Sequence, residues 1–257
     1  LITVTVPVLL LAVFASTTLL RSTQWSNNVD HSIYEARHHP QSPRAVFSAG
    51  RIHARLALQG HVESIDKAYE FLGKASALDY TGIMPDVTML KLDYLLEREV
   101  DPARFDEIVS RLERYPLTTS DVTSLQDLAD CLGGKCSMPP ETVDRIFHAA
   151  LNNGNTRLKT VYAYYIINQH GKFLEGLALF EYVVERQPEE PQHWINLINL
   201  LMVMARFDEA EQRLEPFRNL RPYGSSEADF RLLQDDIDKG RIEFAQSYNA
   251  VAENNRP

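Results

Sequence analysis

Three histidines in the first part of the chain are the residues whose type best suits a metal site. His31, His38 and His39 carry imidazole groups, which are common ligands of transition metals. Adjacent side chains on a helix point in different directions, and no cluster of carboxylates has ligand spacing with these histidines. The pattern therefore favours a solvated helix face, and the sequence predicts neither a metal site nor a cofactor.

Two pairs of adjacent carboxylates are the other candidates for chemistry. Glu189-Glu190 and Asp235-Asp236 could in principle clamp a substrate, but neighbouring side chains diverge, and such pairs are typical of helix ends and surfaces. The sequence contains no G-x-S-x-G nucleophile motif and no glycine-rich phosphate loop. It therefore predicts no catalytic residue, and whether the protein is an enzyme stays open at this point.

The two cysteines are separated by a short, glycine-rich loop. Cys131 and Cys136 enclose LGGK, and the absence of further cysteines excludes a four-thiolate zinc site within this chain. A thioredoxin-type pair would be separated by two residues. We expect a disulfide that closes the loop, which would require an oxidising compartment. The alternative is that these are two unrelated thiols.

A repeated unit between Arg157 and Pro222 organises the second half of the chain. Residues of the same kind recur 34 positions apart: Phe173 and Phe207, Glu175 and Glu209, and Pro188 and Pro222. A period of this length is typical of helix–turn–helix repeats. Apolar residues spaced by three and four give each helix one buried stripe, and no strand-like alternation is present. The sequence therefore predicts an all-α protein.

The second copy resembles the tetratricopeptide repeat. It has the expected order of Trp194, Leu197, Leu201, Ala210 and a closing proline, and the tryptophan is expected to pack in the core. The first copy departs from the pattern, with Thr160 in place of the tryptophan and Gly176 in place of the alanine. The resemblance implies a right-handed α-solenoid of antiparallel helix pairs. We assign degenerate repeats and the disulfide hairpin to residues 25–156, two clear repeats to 157–224, and a capping helix with a tail to 225–257.

The first helix of each repeat is expected to line the concave face of such a solenoid. The spacing from the core positions assigns five residues to that face: Tyr165, Asn168, Gln192, Ile195 and Asn199. Asparagine can bind a peptide backbone through its paired donor and acceptor. The alternative is that these are ordinary surface residues.

An uncharged run from Leu1 to Leu20 suggests a membrane segment. As a helix it would span roughly 30 Å, about the hydrocarbon thickness of a bilayer, and Trp25 would lie near the interface. We therefore expect a transmembrane helix in residues 1–24, with a signal peptide as the alternative. Together with a disulfide, this would place the remainder in the periplasm or another extracytoplasmic space, anchored to the inner or plasma membrane.

The net charge of −9 argues against nucleic acid as a partner, because neutralising phosphates requires a basic surface. The layout as a whole, with a membrane helix, a helix that ends in HPQSPRA and then repeats, is similar to the C-terminal region of bacterial multi-pass TMTC-like glycosyltransferase-like proteins. That resemblance implies that catalytic carboxylates would lie upstream of this chain.

Three functions are consistent with these features. We expect a membrane-anchored extracytoplasmic scaffold that binds a protein partner or peptide segment. The alternatives are the recognition domain of such a glycan transferase, or a subunit that packs within a larger membrane complex.

Overall fold

The computed structural model describes residues 2–25, 27–78, 82–134, 136–152, 155–220 and 227–254, and over these it contains thirteen helices and no strand. The all-α expectation is therefore confirmed. In chain order, the helices are α1 (Ile2–Trp25), α2 (Asn28–His38), α3 (Pro43–Leu58), α4 (Glu63–Ser76), α5 (Met84–Leu95), α6 (Pro102–Arg114), α7 (Thr119–Leu132), α8 (Pro140–Leu151), α9 (Thr156–His170), α10 (Phe173–Arg186), α11 (Pro191–Val203), α12 (Phe207–Arg218) and α13 (Glu227–Asn254).

Local capping sets where several of these helices begin. The Asn27 side chain accepts a hydrogen bond from the amide of Val29 at 2.9 Å and starts α2. Ser42 and Asp101 cap α3 and α6 in the same way, each followed by a proline in the first turn. Such caps satisfy amide groups that have no partner inside the helix. These helix starts therefore follow from a few neighbouring residues.

The expected membrane helix is not supported. No helix in the part of the chain that the structure describes is long and apolar enough to cross a membrane. The transmembrane helix expected within residues 1–24 and the proposed location in the inner or plasma membrane were therefore wrong. Leu1 itself lies outside the described residues.

The chain forms two compact units, Leu1–Ile146 and Phe147–Pro257. In the first, α3 packs against α2 and α4, and α5 packs against α3, α4, α6 and α7. Its core contains the apolar stripes of α3, α4 and α5: Val46, Phe47, Ala54, Ala57, Ala68, Leu72, Ala75, Met89 and Leu92. Helices that pack mainly against their neighbours in sequence are typical of a helical-repeat arrangement.

A buried carboxylate fixes the start of α7 within the first unit. Asp121 is 4% exposed, and its Oδ1 accepts a hydrogen bond from the amide of Ile83 at 2.9 Å. Its Oδ2 accepts from the amide and the hydroxyl of Thr118, at 2.9 and 2.7 Å. The side chain thus completes a local capping box and joins α7 to the start of α5.

A buried histidine lies between α3 and α4. His53 is 5% exposed and its ring stacks on Phe71 at a centroid distance of 5.7 Å. Burial lowers the pKa of His53 below its ordinary 6.5, the charge of Lys67 lowers it further, and Glu70 opposes both. The neutral imidazole is therefore the form that the folded protein favours.

The two cysteines of the first unit are at disulfide distance. The Cα atoms of Cys131 and Cys136 lie 5.2 Å apart, and the amide of Cys136 donates to the carbonyl oxygen of Cys131 at 2.9 Å. Both side chains are 6% exposed. Lys135, within the loop that they close, lies outside the described residues.

In the second unit, α9 pairs with α10 and α11 pairs with α12, while α10 packs on α11 and α12 on α13. Phe173 begins α10 and Phe207 begins α12, so the 34-residue offset is also the offset between the helices. Gly171 and Ala205 stand at the same place in the two copies, and both are left-handed, with φ of 64° and 56°. Pro222 and the predicted turn residues Asn153 and Gly154 lie outside the described residues.

Candidate functional site

One face of α11 is open to solvent along its length. Gln192 and Asn199 are exposed, Ile195 is half-buried, and Val203 is 70% exposed. Steps of three and four residues place these side chains on one face of a helix. We call Gln192, Ile195, Asn199 and Val203 the α11 stripe. The rest of the helix is fixed in the core by Trp194, Leu197, Ile198, Leu200 and Leu201.

The amides of the α11 stripe differ in how far they are already engaged. Gln192 Nε2 donates to Oδ1 of the buried Asn196 at 2.9 Å, which orients the Gln192 amide and leaves its oxygen available. The Asn199 side chain forms no hydrogen bond with any residue that the structure describes. Asn199 therefore offers a free donor and a free acceptor, the combination that a peptide group requires.

On α9 the predicted residues divide between surface and core. Asn168 is exposed, whereas Tyr165 is 2% exposed and stacks on Phe147 with ring centroids 4.6 Å apart. The Tyr165 hydroxyl also lies 3.3 Å from Nε2 of His170. Tyr165 therefore belongs to the core, while the neighbouring Tyr164 is 44% exposed. The other four predicted residues, Asn168, Gln192, Ile195 and Asn199, keep at least part of their side chains accessible.

A single glutamine joins the starts of α9 and α11. The oxygen of Gln187 accepts a hydrogen bond from the Thr156 hydroxyl at 2.8 Å and lies 3.1 Å from Nε2 of His193. Because Thr156 begins α9 and His193 is in the first turn of α11, the two helices start side by side.

His193 is a polar group at the beginning of the stripe that the sequence did not single out. Its Nε2 is used by Gln187, whereas its Nδ1 is buried without a hydrogen-bond partner among the described residues. Burial lowers the pKa of His193 below 6.5, against the opposing charges of Glu190 and Glu189. The ring is therefore favoured in its neutral form, in which Nδ1 is an acceptor when Nε2 carries the proton.

Trp194 holds the first turn of α11 in place. It is 8% exposed, and its Nε1 donates to the carbonyl oxygen of Pro188 at 2.9 Å. Its ring thus packs in the core while its polar edge ties α11 to the connection from α10. The expectation that this residue is a packing residue is confirmed.

The histidines and carboxylates considered first do not converge. His38 stacks on Tyr34 at 3.8 Å, His39 lies 3.8 Å from Glu35, and His31 is half-buried. Across the described ranges, no three His, Cys, Asp or Glu side chains are close enough to hold a metal ion together. The α11 stripe is therefore the surface from which a function can be argued.

Sequence reasoning missed Val203 and His193 for different reasons. Val203 follows from the same helical spacing as Asn199 and could have been included. His193 gave no such signal, because its orientation depends on Gln187 and Thr156, which two other parts of the chain supply.

No protein-family model matches this chain, and no curated protein is significantly similar to it. Its helical-repeat character rests on the packing of successive helices and on the 34-residue offset in the second unit.

Proposed function

We propose that α9 to α12 are two tetratricopeptide-type repeats, and that the α11 stripe binds an extended segment of a protein partner. The repeat assignment is supported by structural equivalence at the 34-residue offset. Phe173 and Phe207 both begin the second helix of a pair, and Gly176 and Ala210 are both buried where that helix packs. A scaffold of this kind presents a regular surface on its first helices.

The spacing of the two amides in the stripe is the observation that carries the binding proposal. Gln192 and Asn199 are seven residues apart on one helix face, which corresponds to about 10.5 Å along the axis at 1.5 Å per residue. Three residues of an extended chain cover about 10 Å at 3.3 Å each. The two amides can therefore engage peptide groups three residues apart, while Ile195 contacts a side chain between them.

The composition of the stripe indicates the kind of segment that it accepts. None of its four residues is charged, and the adjacent His193 favours its neutral form. Ile195 and Val203 provide apolar contacts, and 70% of the Val203 side chain is still available for burial. A bound charge would lose hydration without gaining an ion pair here. The segment is therefore uncharged, with apolar side chains that face α11.

The test uses peptides selected from a random library on the full chain, with their affinities measured by calorimetry. Asn199→Ala removes one donor and one acceptor and should weaken binding about tenfold, since a hydrogen bond contributes about 1–1.5 kcal/mol. N-methylation of the peptide amide that Asn199 contacts should cause a similar loss. Gln212→Ala is the matched control, because Gln212 is an exposed amide on α12 and lies outside the stripe.

For the proposal to stand, Asn199→Ala and Gln212→Ala must differ in their affinity for the selected peptides. Equal affinities of Asn199→Ala and the parent for every selected peptide would contradict it. So would an equal loss in Gln212→Ala, because the effect would then not belong to α11. Unfolding curves of both variants should match the parent, since exposed substitutions usually change stability by less than about 0.5 kcal/mol.

A further inference from the structure

A polar cleft lies between α2 and α3 of the first unit, and it is separate from the α11 stripe. Its volume is about 560 Å³, and six residues line it: Asn28, Ser32, Ser48, Arg51, Ile52 and Arg55. Five of the six carry hydrogen-bonding side chains and none is acidic. The chain has a net charge of −9, whereas this cleft is lined by two cations and no carboxylate.

The lining residues form two facing rows. Ser48, Arg51 and Arg55 follow one another at three- and four-residue spacing on α3, and Asn28 and Ser32 are four residues apart on α2. Residues at such spacings are neighbours on a helix surface, with Cβ atoms about 6 Å apart. The two guanidinium groups can therefore reach one ligand from one side while the α2 side chains reach it from the other.

The hydroxyl groups of the cleft are not engaged in the usual way. Hydroxyl side chains on helices commonly donate to the carbonyl oxygen of the preceding turn. In this protein Thr88 donates to Met84 at 2.8 Å and Ser124 donates to Ser120 at 3.0 Å. Ser32 and Ser48 form no hydrogen bond with any described residue.

The two arginines are likewise without partners over the described ranges. Arg51 and Arg55 form no ion pair and no hydrogen bond through their side chains there. Other arginines do: Arg111 donates to Glu107 at 2.7 Å, and Arg206 donates to both oxygens of Glu209 at 2.6 and 2.5 Å. The cleft thus combines two unpaired cations with neutral donors that are also free.

We propose that this cleft binds a dianionic phosphoryl group. Two guanidinium groups match two negative charges, and each can form a bidentate pair with phosphate oxygens. A carboxylate has one charge and two oxygens, so it would leave one arginine and most of the neutral donors unsatisfied. The cleft is larger than a phosphate ion, so it has space for a phosphoryl group that is carried on a larger molecule.

The experiment measures binding of inorganic phosphate, O-phosphoserine and acetate to the full chain by calorimetry at constant ionic strength. Phosphate and phosphoserine should bind and acetate should not. Arg51→Gln and Arg55→Gln should each weaken phosphate binding about tenfold, the usual effect of losing a charged hydrogen bond. Arg51→Lys keeps the positive charge but loses the planar group that can form a bidentate pair. Its phosphate affinity should therefore lie between those of Arg51→Gln and the parent.

Arg231→Gln is the control, because Arg231 is an exposed arginine on α13, 3.6 Å from Glu227. It should bind phosphate as the parent does. The proposal is overturned if phosphate does not bind, if acetate binds equally well, or if Arg51→Gln with Arg55→Gln binds phosphate as strongly as Arg231→Gln. Arg51 and Arg55 are both exposed, so these variants are expected to fold, and circular dichroism will verify this.

Discussion

Gly176→Ala should destabilise the second unit, although Ala210 stands at the equivalent place 34 residues later. Gly176 is buried on α10, where it faces α9. A Cβ atom added there would lie 2.5 Å from both Cδ1 and Cγ1 of Ile167. Ordinary contacts between carbon atoms are about 3.5–4.0 Å, so either Ile167 must change rotamer or the helices must separate.

Two effects of opposite sign decide the magnitude. Replacing a glycine inside a helix by alanine gains roughly 0.5–1 kcal/mol, because the unfolded chain loses freedom. Inserting a methyl group into a well-packed core costs about 1–3 kcal/mol. The added methyl group would clash with Cγ1 of Ile167 as well as with Cδ1 at the end of that side chain. The packing cost should therefore exceed the gain in helix stability. We expect a net loss of about 1 kcal/mol.

The decisive comparison is made in an Ile167→Ala background. Ile167→Ala alone should destabilise by about 2 kcal/mol, the lower end for an isoleucine, because Ile167 is only partly buried. With that side chain shortened, the methyl group of Gly176→Ala has space, and only its helix gain of roughly 0.5–1 kcal/mol should remain. The same substitution should therefore change sign between the two backgrounds.

The measurement is chemical denaturation followed by the fluorescence of Trp194, in protein whose other tryptophan, Trp25, is replaced by phenylalanine. This reports on the second unit alone, which matters because a chain of two units need not unfold in one step. A shift in midpoint at a constant slope gives the change in stability. If Gly176→Ala is stabilising by the same amount in both backgrounds, the close approach of Ile167 has no energetic consequence and the reasoning fails.

Four further outcomes are expected. Ala205→Gly should stabilise the second unit by about 0.5–1 kcal/mol, because a left-handed backbone strains alanine; an unchanged denaturation midpoint would count against this. Trp194→Ala should cost about 3–5 kcal/mol in thermal or chemical unfolding, as for other buried aromatic residues. Asp121→Ala should cost about 2–3 kcal/mol, because it leaves the buried amide of Ile83 without its acceptor and removes the cap at Thr118, and a change below 0.5 kcal/mol by denaturation would refute that role. His53 should make stability fall as the pH drops below about 6.5, because the unfolded chain then binds more protons, by at most about 1.4 kcal/mol per pH unit. His53→Leu should reduce this slope in denaturation curves measured across pH and leave the part that His193 contributes, whereas His39→Gln, at an exposed histidine, should retain the full slope.

The sequence by itself determined that the chain is helical and where several of its helices begin. Caps such as Ser42 and Asp101, each followed by a proline, depend on hydrogen bonds within a few residues, so their signals are local. The buried position of Trp194 also follows from spacing, because a period of three and four residues assigns a side chain to one face of its helix. Interactions between residues that are close together in the chain can therefore be recognised from the sequence alone.

Only the tertiary structure decided which faces are covered. Tyr165 has the spacing of a groove residue, yet Phe147 from the preceding helix stacks on it and removes it from the surface. The orientation of His193 depends on Gln187, and the space at Gly176 depends on Ile167. The unpaired state of Arg51 could not be read from the chain either, because it depends on which carboxylates come near. Each of these outcomes is set by an atom on a different helix, and helical periodicity gives the direction of a side chain but not what it meets.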